Sequence, residues 1–158
     1  MLIGIMSDSH DNLPALSKAV ALYNEKAVGA VLHAGDLISP FTAKVMKQLQ
    51  MDMYITFGNN DGEKLGLKAM YGDTIHRPPL ELTLAEKKIL MLHEPDNLDA
   101  VIASGHFDLI IYGHTHELDI RNEKPLVVNP GECGGWVTGK STVTIWNTAT
   151  DKIEVIEL

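Results

Sequence analysis

The first 60 residues alternate short apolar runs with segments that carry apolar residues at helical spacing. The apolar runs are Leu2–Met6, Ala30–Ala34 and Met53–Phe57, and the segments between them are Leu13–Asn24 and Pro40–Leu49. Continuous apolar runs of this length are typical of strands buried on both faces, and spacings of three and four are typical of helices. The resulting βαβαβ order predicts a parallel sheet with helices on its faces.

The middle of the chain is less regular. Leu80–Leu84 and Lys88–Leu92 are consistent with a hairpin that turns at Ala85–Lys87. Leu98–Ala103 predicts a short helix, and Leu109–Tyr112 predicts another buried strand. These elements extend the alternation of strands and helices into the second half of the sequence.

The last third changes to short strand-like segments separated by turn residues, which indicates antiparallel β-structure. The segments are Ile120–Arg121, Leu126–Val128, Thr142–Trp146 and Ile153–Ile156, with a hairpin turn expected at Asn147–Lys152. We therefore predict an α/β fold in which two packed, mixed β-sheets are flanked by helices. Because no repeat or linker is visible, residues 1–158 are assigned to a single domain.

Charge and cysteine content exclude several classes of function. The chain has 21 acidic and 13 basic residues, a net charge of −8, and no block rich in Lys or Arg. Bulk nucleic-acid binding and attachment to an anionic membrane are therefore not expected. Cys133 is the only cysteine, and the apolar N-terminus has no basic residue before it, so we expect a reducing, cytoplasmic location.

Polar residues able to bind metal follow five of the apolar runs directly. These residues are Asp8 and His10 after the first run, Asp36 after the second, Asn59 after the third, His93 after Ile89–Leu92, and His114 and His116 after Leu109–Tyr112. The carboxyl ends of parallel strands meet at one edge of a sheet, which is where ligands bind in open α/β folds. The sequence thus predicts that the seven side chains converge. Glycines at 35, 58 and 113 would allow tight turns and close backbone approach there.

The chemistry of these seven residues favours a pair of metal ions. Carboxylate, amide oxygen and imidazole suit manganese, iron, nickel or zinc, and seven donors are too many for one tetrahedral ion. Two divalent cations that share one carboxylate are expected, with manganese the preferred candidate. His33, His76 and His106 are excluded from the site, because they lie within a strand, before a Pro pair and in a turn.

The order of these motifs resembles a known family. Asp8-Ser9-His10, Gly35-Asp36, Gly58-Asn59, His93 and Gly113-His114-Thr115-His116 follow one another as in the calcineurin-like metallophosphoesterases. The chain looks like the small branch of bacterial and archaeal phosphodiesterases that lacks a cap domain. The resemblance extends from Met1 to about Gly131.

The resemblance implies a fold, a reaction and a role for each donor. The fold would be a four-layer α/β/β/α sandwich, and the reaction would be in-line attack of a dimetal-bound hydroxide on a small phosphoester. The first metal would be held by Asp8, His10 and His116, the second by Asn59, His93 and His114, and both by Asp36. Asn59, Asn60 and His10 are the candidate catalytic residues.

Three positions depart from the pattern of this family. Many relatives carry His after the motif Asn as an acid for the leaving group, and an Asp that pairs with it; here these positions are Asn60 and Ser39. Glu132 stands where Ser commonly follows Asn-Pro-Gly. Its carboxylate could disfavour a phosphate or point to solvent, and the sequence does not decide between the two.

The leading hypothesis is a metal-dependent phosphodiesterase. The alternatives are a phosphomonoesterase for a specific small substrate and, from a different class, a non-catalytic scaffold like the retromer subunit that shares this fold. A complete set of metal donors argues against the scaffold. The physiological substrate, the native metal and whether the chain forms a homo-oligomer are left open by the sequence.

Overall fold

The computed structural model describes all 158 residues. The strands are β1 Leu2–Met6, β2 Ala30–His33, β3 Asp52–Thr56, β4 Ile75–His76, β5 Leu80–Leu84, β6 Lys87–Met91, β7 Leu109–Ile111, β8 Leu118–Arg121, β9 Leu126–Pro130, β10 Thr142–Asn147 and β11 Lys152–Glu157. The helices are α1 Leu13–Glu25, α2 Ala43–Met46, α3 Lys64–Tyr71 and α4 Leu98–Ser104, with short 3-10 turns at Pro40–Thr42 and Gly72–Thr74. No helix is both long and apolar enough to cross a membrane.

The strands form two mixed sheets. The first has the order β11-β10-β1-β2-β3-β4, in which β1 to β4 run parallel and β10 and β11 run antiparallel. The second has the order β5-β6-β7-β9-β8, in which β6, β7 and β9 run parallel and the two edge strands run antiparallel. Both sheets therefore keep parallel strands at their centres, and these strands carry the polar motifs at their carboxyl ends.

Three separate apolar clusters stack the sheets and helices into four layers. One cluster packs α1 to α3 on the outer face of the first sheet, and alternate residues of β1 and β2 face the other way. Ile3, Ile5 and Leu32 belong to the cluster between the sheets, with Trp146 of β10. A smaller cluster places α4 on the outer face of the second sheet. The predicted α/β/β/α sandwich is confirmed.

Two local predictions were wrong. The segment Pro40–Leu49 is not one helix, because i→i+3 hydrogen bonds replace the α-helical pattern at both of its ends. Phe41, at the start of this segment, is 52% exposed, whereas Val45 is buried. The C-terminal third is not wholly antiparallel, since β9 pairs in parallel with β7. The β8–β9 hairpin joins the sheet through β9, which is buried along its whole length and takes the direction of its neighbour.

Helix α3 and strand β4 were not predicted. The apolar periodicity of this region is interrupted by Gly62, Gly66 and Gly72. Only Leu67 and Tyr71, four positions apart, are buried in α3, and one such pair is too little to predict a helix. The remaining predicted strands and helices are present, with ends that differ by one or two residues in most cases.

Candidate metal centre

All seven predicted donors converge at one edge of the two sheets. The loops after β1, β2 and β3 supply Asp8, His10, Asp36 and Asn59, and the loops after β6 and β7 supply His93, His114 and His116. Backbone hydrogen bonds join these loops directly. The amides of Asp8 and His10 donate to the carbonyls of Gly35 and Asp36, each at 3.0 Å. The two sheets also meet here, because the backbone N–H of His114 donates to Asp8 Oδ2 at 3.1 Å and His93 Nδ1 lies 2.7 Å from the Ala34 carbonyl oxygen.

One group of donors surrounds Asp8. His10 Nε2 lies 3.8 Å from Asp8 Oδ1, and His116 Nε2 lies 3.5 Å from the same oxygen. The two imidazole Nε2 atoms are 3.3 Å apart. Asp8 is fully buried, and the two histidines are half-buried. The three side chains thus direct their donor atoms toward one point that solvent can reach.

A second group surrounds His93. Its Nε2 lies 2.8 Å from Asn59 Oδ1 and 3.3 Å from Asp36 Oδ2, and the Nδ1 of His114 lies 2.9 Å from the same Asn59 oxygen. The other ring nitrogen of His93 lies 2.7 Å from the carbonyl oxygen of Ala34. That contact orients the ring, because a donated Nδ1–H leaves Nε2 free as a metal donor.

Asp36 lies between the two groups. Its Oδ2 atom is 3.5 Å from His10 Nε2 and 3.3 Å from His93 Nε2. Asn60 holds this carboxylate from the other side, because its backbone N–H donates to Oδ1 at 2.9 Å and its side-chain amide donates to Oδ2 at 2.8 Å. A single, firmly oriented oxygen is therefore available to both groups.

The distances within both groups fit divalent cations. Nitrogen and oxygen ligands lie about 2.0–2.2 Å from zinc and similar ions, so two ligands of one ion are at most roughly 4.4 Å apart. The pairs above range from 2.8 Å to 3.8 Å. The donors are carboxylate, amide and imidazole with no thiolate, as first-row divalent metals require. The expectation of a centre able to hold divalent metal ions is met by the donor set.

The backbone at the centre is unusual. Five of the seven donors have a positive φ, and none of them is glycine: Asp8, His10, Asp36, His114 and His116 have φ values of 53°, 42°, 61°, 68° and 62°. Left-handed backbone at such residues costs about 1–3 kcal/mol each and persists where the surroundings fix it, most often at functional sites. The surrounding structure therefore fixes the backbone of these five donors, and with it the directions of their side chains.

All three predicted glycines are needed for close packing at the centre, and a Cβ at position 35 would overlap the ring of His93. A Cβ at position 58 would overlap the carboxylate and amide of Asp36, and a Cβ at position 113 would overlap Ser7 and Asp8. All three positions lie directly before donor residues, Asp36, Asn59 and His114. Glycine there allows donors from separate strands to approach one another.

Buried charge shifts the pKa values of the centre. Burial alone would raise the pKa of Asp36, but hydrogen bonding and charge from His93, with the bonds from Asn60, lower it to about 2. The pKa of His10 is raised, chiefly by its contact with Asp8 and against the effect of burial. Burial lowers the pKa of His93, but Asp36 outweighs it and the net shift is upward. This negative environment stabilises positive charge, which a metal ion supplies more strongly than a proton does.

Comparison with known proteins agrees with this geometry. The family model described as the calcineurin-like phosphoesterase superfamily domain matches residues 1–151. The chain belongs to the calcineurin-like phosphoesterase superfamily. A phosphodiesterase from Methanocaldococcus jannaschii is 38% identical over 165 aligned residues, which cover 100% of this chain and 99% of that protein. The predicted family and the predicted class of enzyme, a phosphoric ester hydrolase, are confirmed.

Solved structures place the phosphoesterase fold in a wider group. The structure of an archaeal phosphodiesterase superposes with a TM-score of 0.92 at 37% identity, covering 100% of both chains. Vacuolar protein sorting 29 from Cryptosporidium parvum superposes with a TM-score of 0.68 at 18% identity, covering 99% of this chain and 96% of that one. At that identity the second likeness shows a shared fold and does not favour the scaffold alternative.

Glu132 has a role in this phosphoesterase that neither reading of the sequence anticipated. It is 1% exposed, so it does not point to solvent. Its carboxylate accepts hydrogen bonds from the backbone N–H groups of Trp136, Val137 and Thr138. Burial raises the pKa of Glu132, but these bonds more than offset it and leave the pKa below its usual range. The residue therefore organises the loop that follows β9.

His33 also has a role that the sequence did not reveal. It lies outside the donor set, as predicted, but its Nε2 is 3.2 Å from Ser9 Oγ and its Nδ1 accepts the Gly35 N–H at 3.2 Å. Its side chain therefore connects the loop after β1 with the loop after β2. A histidine inside an apolar strand, immediately before a Gly-Asp motif, was the signal available in the sequence.

Proposed function

We propose that this phosphoesterase is a phosphodiesterase that binds two divalent cations at the carboxyl edge of its sheets. The observation that carries the proposal is the position of Asp36 Oδ2, within 3.5 Å of a donor from each of the two groups. One oxygen shared by two donor sets is what a bridged pair of metals requires. The similarity to the archaeal phosphodiesterase supports the preference for diesters.

In this proposal each donor has a defined role. Asp8, His10 and His116 hold the first cation, Asn59, His93 and His114 hold the second, and Asp36 bridges them. The residues are the predicted ones, and the short distances between their donor atoms support the assignment. Manganese is the proposed metal, with nickel, iron and zinc as alternatives, because the donors include no thiolate.

When bound, the two cations would polarise the phosphoryl oxygens and lower the pKa of a water molecule. The protein side chains determine where this happens. Asp8, Asp36 and His93 are buried, His10 and His116 are half-buried, and Asn59 and His114 are exposed, so solvent can reach both groups of donors. Asn60 fixes Asp36 in place. No side chain is assigned to protonate the leaving oxygen, because Asn60 has no titratable proton and His10 is a proposed metal ligand.

The wider setting of the enzyme is also part of the proposal. We treat residues 1–158 as one domain, supported by Trp146 of the first sheet, which packs in the cluster between both sheets. A cytoplasmic location is supported by the single, buried cysteine. The substrate is proposed to be a small phosphoester rather than a nucleic-acid polymer, given the net charge of −8.

The test is hydrolysis by purified protein that has been stripped with a chelator and then reloaded with Mn²⁺. We expect turnover of bis(p-nitrophenyl) phosphate only after reloading, and slower turnover of p-nitrophenyl phosphate. His93→Ala should abolish it, whereas His106→Ala, which changes an exposed histidine outside the donor set, should not. Faster turnover of the monoester would favour the phosphomonoesterase. Full metal content without any hydrolysis would overturn the proposal.

A further inference from the structure

A cavity of about 850 Å³ opens beside the metal centre. Asn59 and His93 form part of its wall, and the donors Asp8, His10 and His116 do not. The cavity therefore lies on the side of the second donor group. Its volume falls within the range of about 300–1,000 Å³ that is typical of small-molecule sites.

The floor of the cavity is apolar and continuous with the centre. Leu90 and Leu92 reach it from the end of β6, and Leu92 directly precedes the donor His93. Val101 of α4 and Phe107 complete the floor, and all four residues belong to the cluster that packs α4 on the second sheet. A group that entered from the metal centre would pass directly onto this apolar surface.

The rim of the cavity carries polar groups of both signs. Arg77 and Lys64 line it, and neither makes an ion pair or a side-chain hydrogen bond within the chain. Three acidic residues, Glu81, Glu94 and Asp96, line the same rim. Because the charges nearly balance, the rim does not select an anion. It can instead donate hydrogen bonds to heteroatoms and stack a guanidinium on an aromatic ring.

We propose that this cavity is the subsite for a large planar organic group of the substrate, aryl or nucleoside-like, whose phosphate is held at the metal centre. The inference rests on the proposed function and adds the substrate class. The apolar floor contacts the faces of such a group, and the polar rim meets its edges. A diester with only small alkyl groups would leave the floor in contact with water, so it would bind more weakly.

The test measures binding, so it does not depend on turnover. Methylphosphonate and 1-naphthylmethylphosphonate share a phosphonate that cannot be hydrolysed to an alcohol and differ only in the organic group. Isothermal titration into the Mn²⁺-loaded full chain should show at least tenfold tighter binding of the naphthyl compound. Val101→Trp, which fills the cavity, should remove this preference and leave the affinity for methylphosphonate within twofold.

A matched variant controls for the bulky substitution itself. Ala103→Trp adds the same side chain to α4 at an exposed position that does not line the cavity, and it should keep the wild-type preference. Val101→Phe replaces Val101→Trp if the latter loses metal or helical circular dichroism, with partial loss of the preference expected. Equal affinity for the two phosphonates in wild type, or equal effects of the 101 and 103 variants, would overturn the subsite.

The two proposals fail in different ways. A naphthyl preference that Val101→Trp removes, in a chain that hydrolyses no ester, would support the subsite and contradict the phosphodiesterase. Hydrolysis of aryl diesters by a chain with no naphthyl preference would support the phosphodiesterase and contradict the subsite.

Discussion

Oε1 of Glu132 lies 3.4 Å from Nδ1 of His116, in the interior of the loop that follows β9. This distance is longer than a usual hydrogen bond. The Nδ1 atom is nevertheless buried and has no other hydrogen-bond partner. A metal-binding histidine usually directs its second nitrogen to a carboxylate or carbonyl, which orients the ring. Glu132 is in the position to do this for His116, while the same carboxylate holds the backbone of residues 136–138.

Glu132→Gln is expected to lower the affinity of the first metal position about 10–100-fold, the usual effect of losing such a partner. The amide is nearly isosteric, but its NH₂ group cannot accept the hydrogen bonds of the loop. Glu117→Gln, which changes an exposed carboxylate next to His116 in sequence, should leave the metal affinity unchanged. Titration of stripped protein with Mn²⁺ would measure both. Unchanged affinity in Glu132→Gln would show that the loop orients His116 without it.

Asp36→Asn is expected to weaken both metal positions together. The amide keeps the shape of the carboxylate but removes the charge that two cations would share, and its NH₂ group faces the N–H groups of Asn60, which donate to Asp36. Elemental analysis of loaded wild type should approach two metals per chain, with a lower content in the variant. Asp73→Asn, an exposed change, is the control. A variant that loses one metal and retains the other would contradict the bridging role.

The convergence of the seven candidate donors could be predicted because their places in the sequence determine where they lie in the fold. Each donor follows an apolar run, and the ends of parallel strands gather at one edge of a sheet. Asp36 illustrates this: it follows β2, a strand of buried residues, and meets His93 from the other sheet. The layers of the fold could also be predicted, from the same alternation of strands and helices. The parallel pairing of β9 with β7 could not be predicted, since strand order depends on contacts between residues that are distant in sequence.

The roles of Glu132 and His33 could not be predicted, because each depends on partners distant in sequence. Glu132 lies 16 positions from His116, and His33 lies 24 positions from Ser9. Neither spacing has a periodicity that marks contact. Burial of a carboxylate is also contrary to expectation, since a lone Glu is usually exposed. The loop N–H groups and the Thr138 hydroxyl that surround Glu132 make its burial favourable.

Cys133→Ser is expected to leave hydrolysis within about twofold of wild type. Cys133 is fully buried in the cluster beneath α1, and burial, with the charges of Asp8 and Glu132, raises the pKa of its thiol to about 12. A thiol of that kind is neither nucleophile nor metal ligand at neutral pH. The variant should instead unfold about 1–3 kcal/mol more easily, because a hydroxyl is placed in an apolar site. Normal metal content with lost turnover would contradict this interpretation.

Acid is expected to destabilise the metal-free chain through His33. Burial lowers the pKa of this imidazole to about 4, and the nearby charges of Asp8 and Asp36 oppose the shift only in part. The unfolded chain takes up this proton below about pH 6.5 and the folded chain only below about pH 4, so protons favour unfolding between these values. The associated loss of stability is up to about 3 kcal/mol on going from pH 6.5 to pH 4.

Urea unfolding of wild type and His33→Gln at several pH values would measure this effect. The difference between the two proteins cancels the titrations they share, including those of His10 and His93. Wild type should lose stability relative to the variant as the pH falls from 6.5 toward 4. Parallel curves would mean that His33 does not titrate differently in the folded and unfolded chains.

Because Asn60 stands at this position, the rate of hydrolysis is expected to depend strongly on the leaving group. Its side chain donates to Asp36, it has no titratable proton, and no acidic partner stands at Ser39. A positioned general acid typically contributes about 10²–10⁴-fold, most of all for poor leaving groups. Wild type should therefore show a steep negative slope of log kcat/KM against leaving-group pKa. Asn60→His should make this slope shallower, because it should hydrolyse alkyl esters faster than wild type does. This increase in rate should vanish at high pH, where the imidazole loses its proton.

Asn60→Ala separates acid catalysis from an indirect effect on Asp36. Asn60→Ala also removes the hydrogen bond to Asp36 but supplies no acid, so it should lower the rate without flattening the slope. Ser39→Asp is not expected to improve the His variant, because Ser39 Oγ donates to Asp11 Oδ2 at 2.6 Å and a second carboxylate there would repel the first. A shallow slope in wild type, with chemistry shown to be rate-limiting, would mean that His10 or another group already protonates the leaving oxygen.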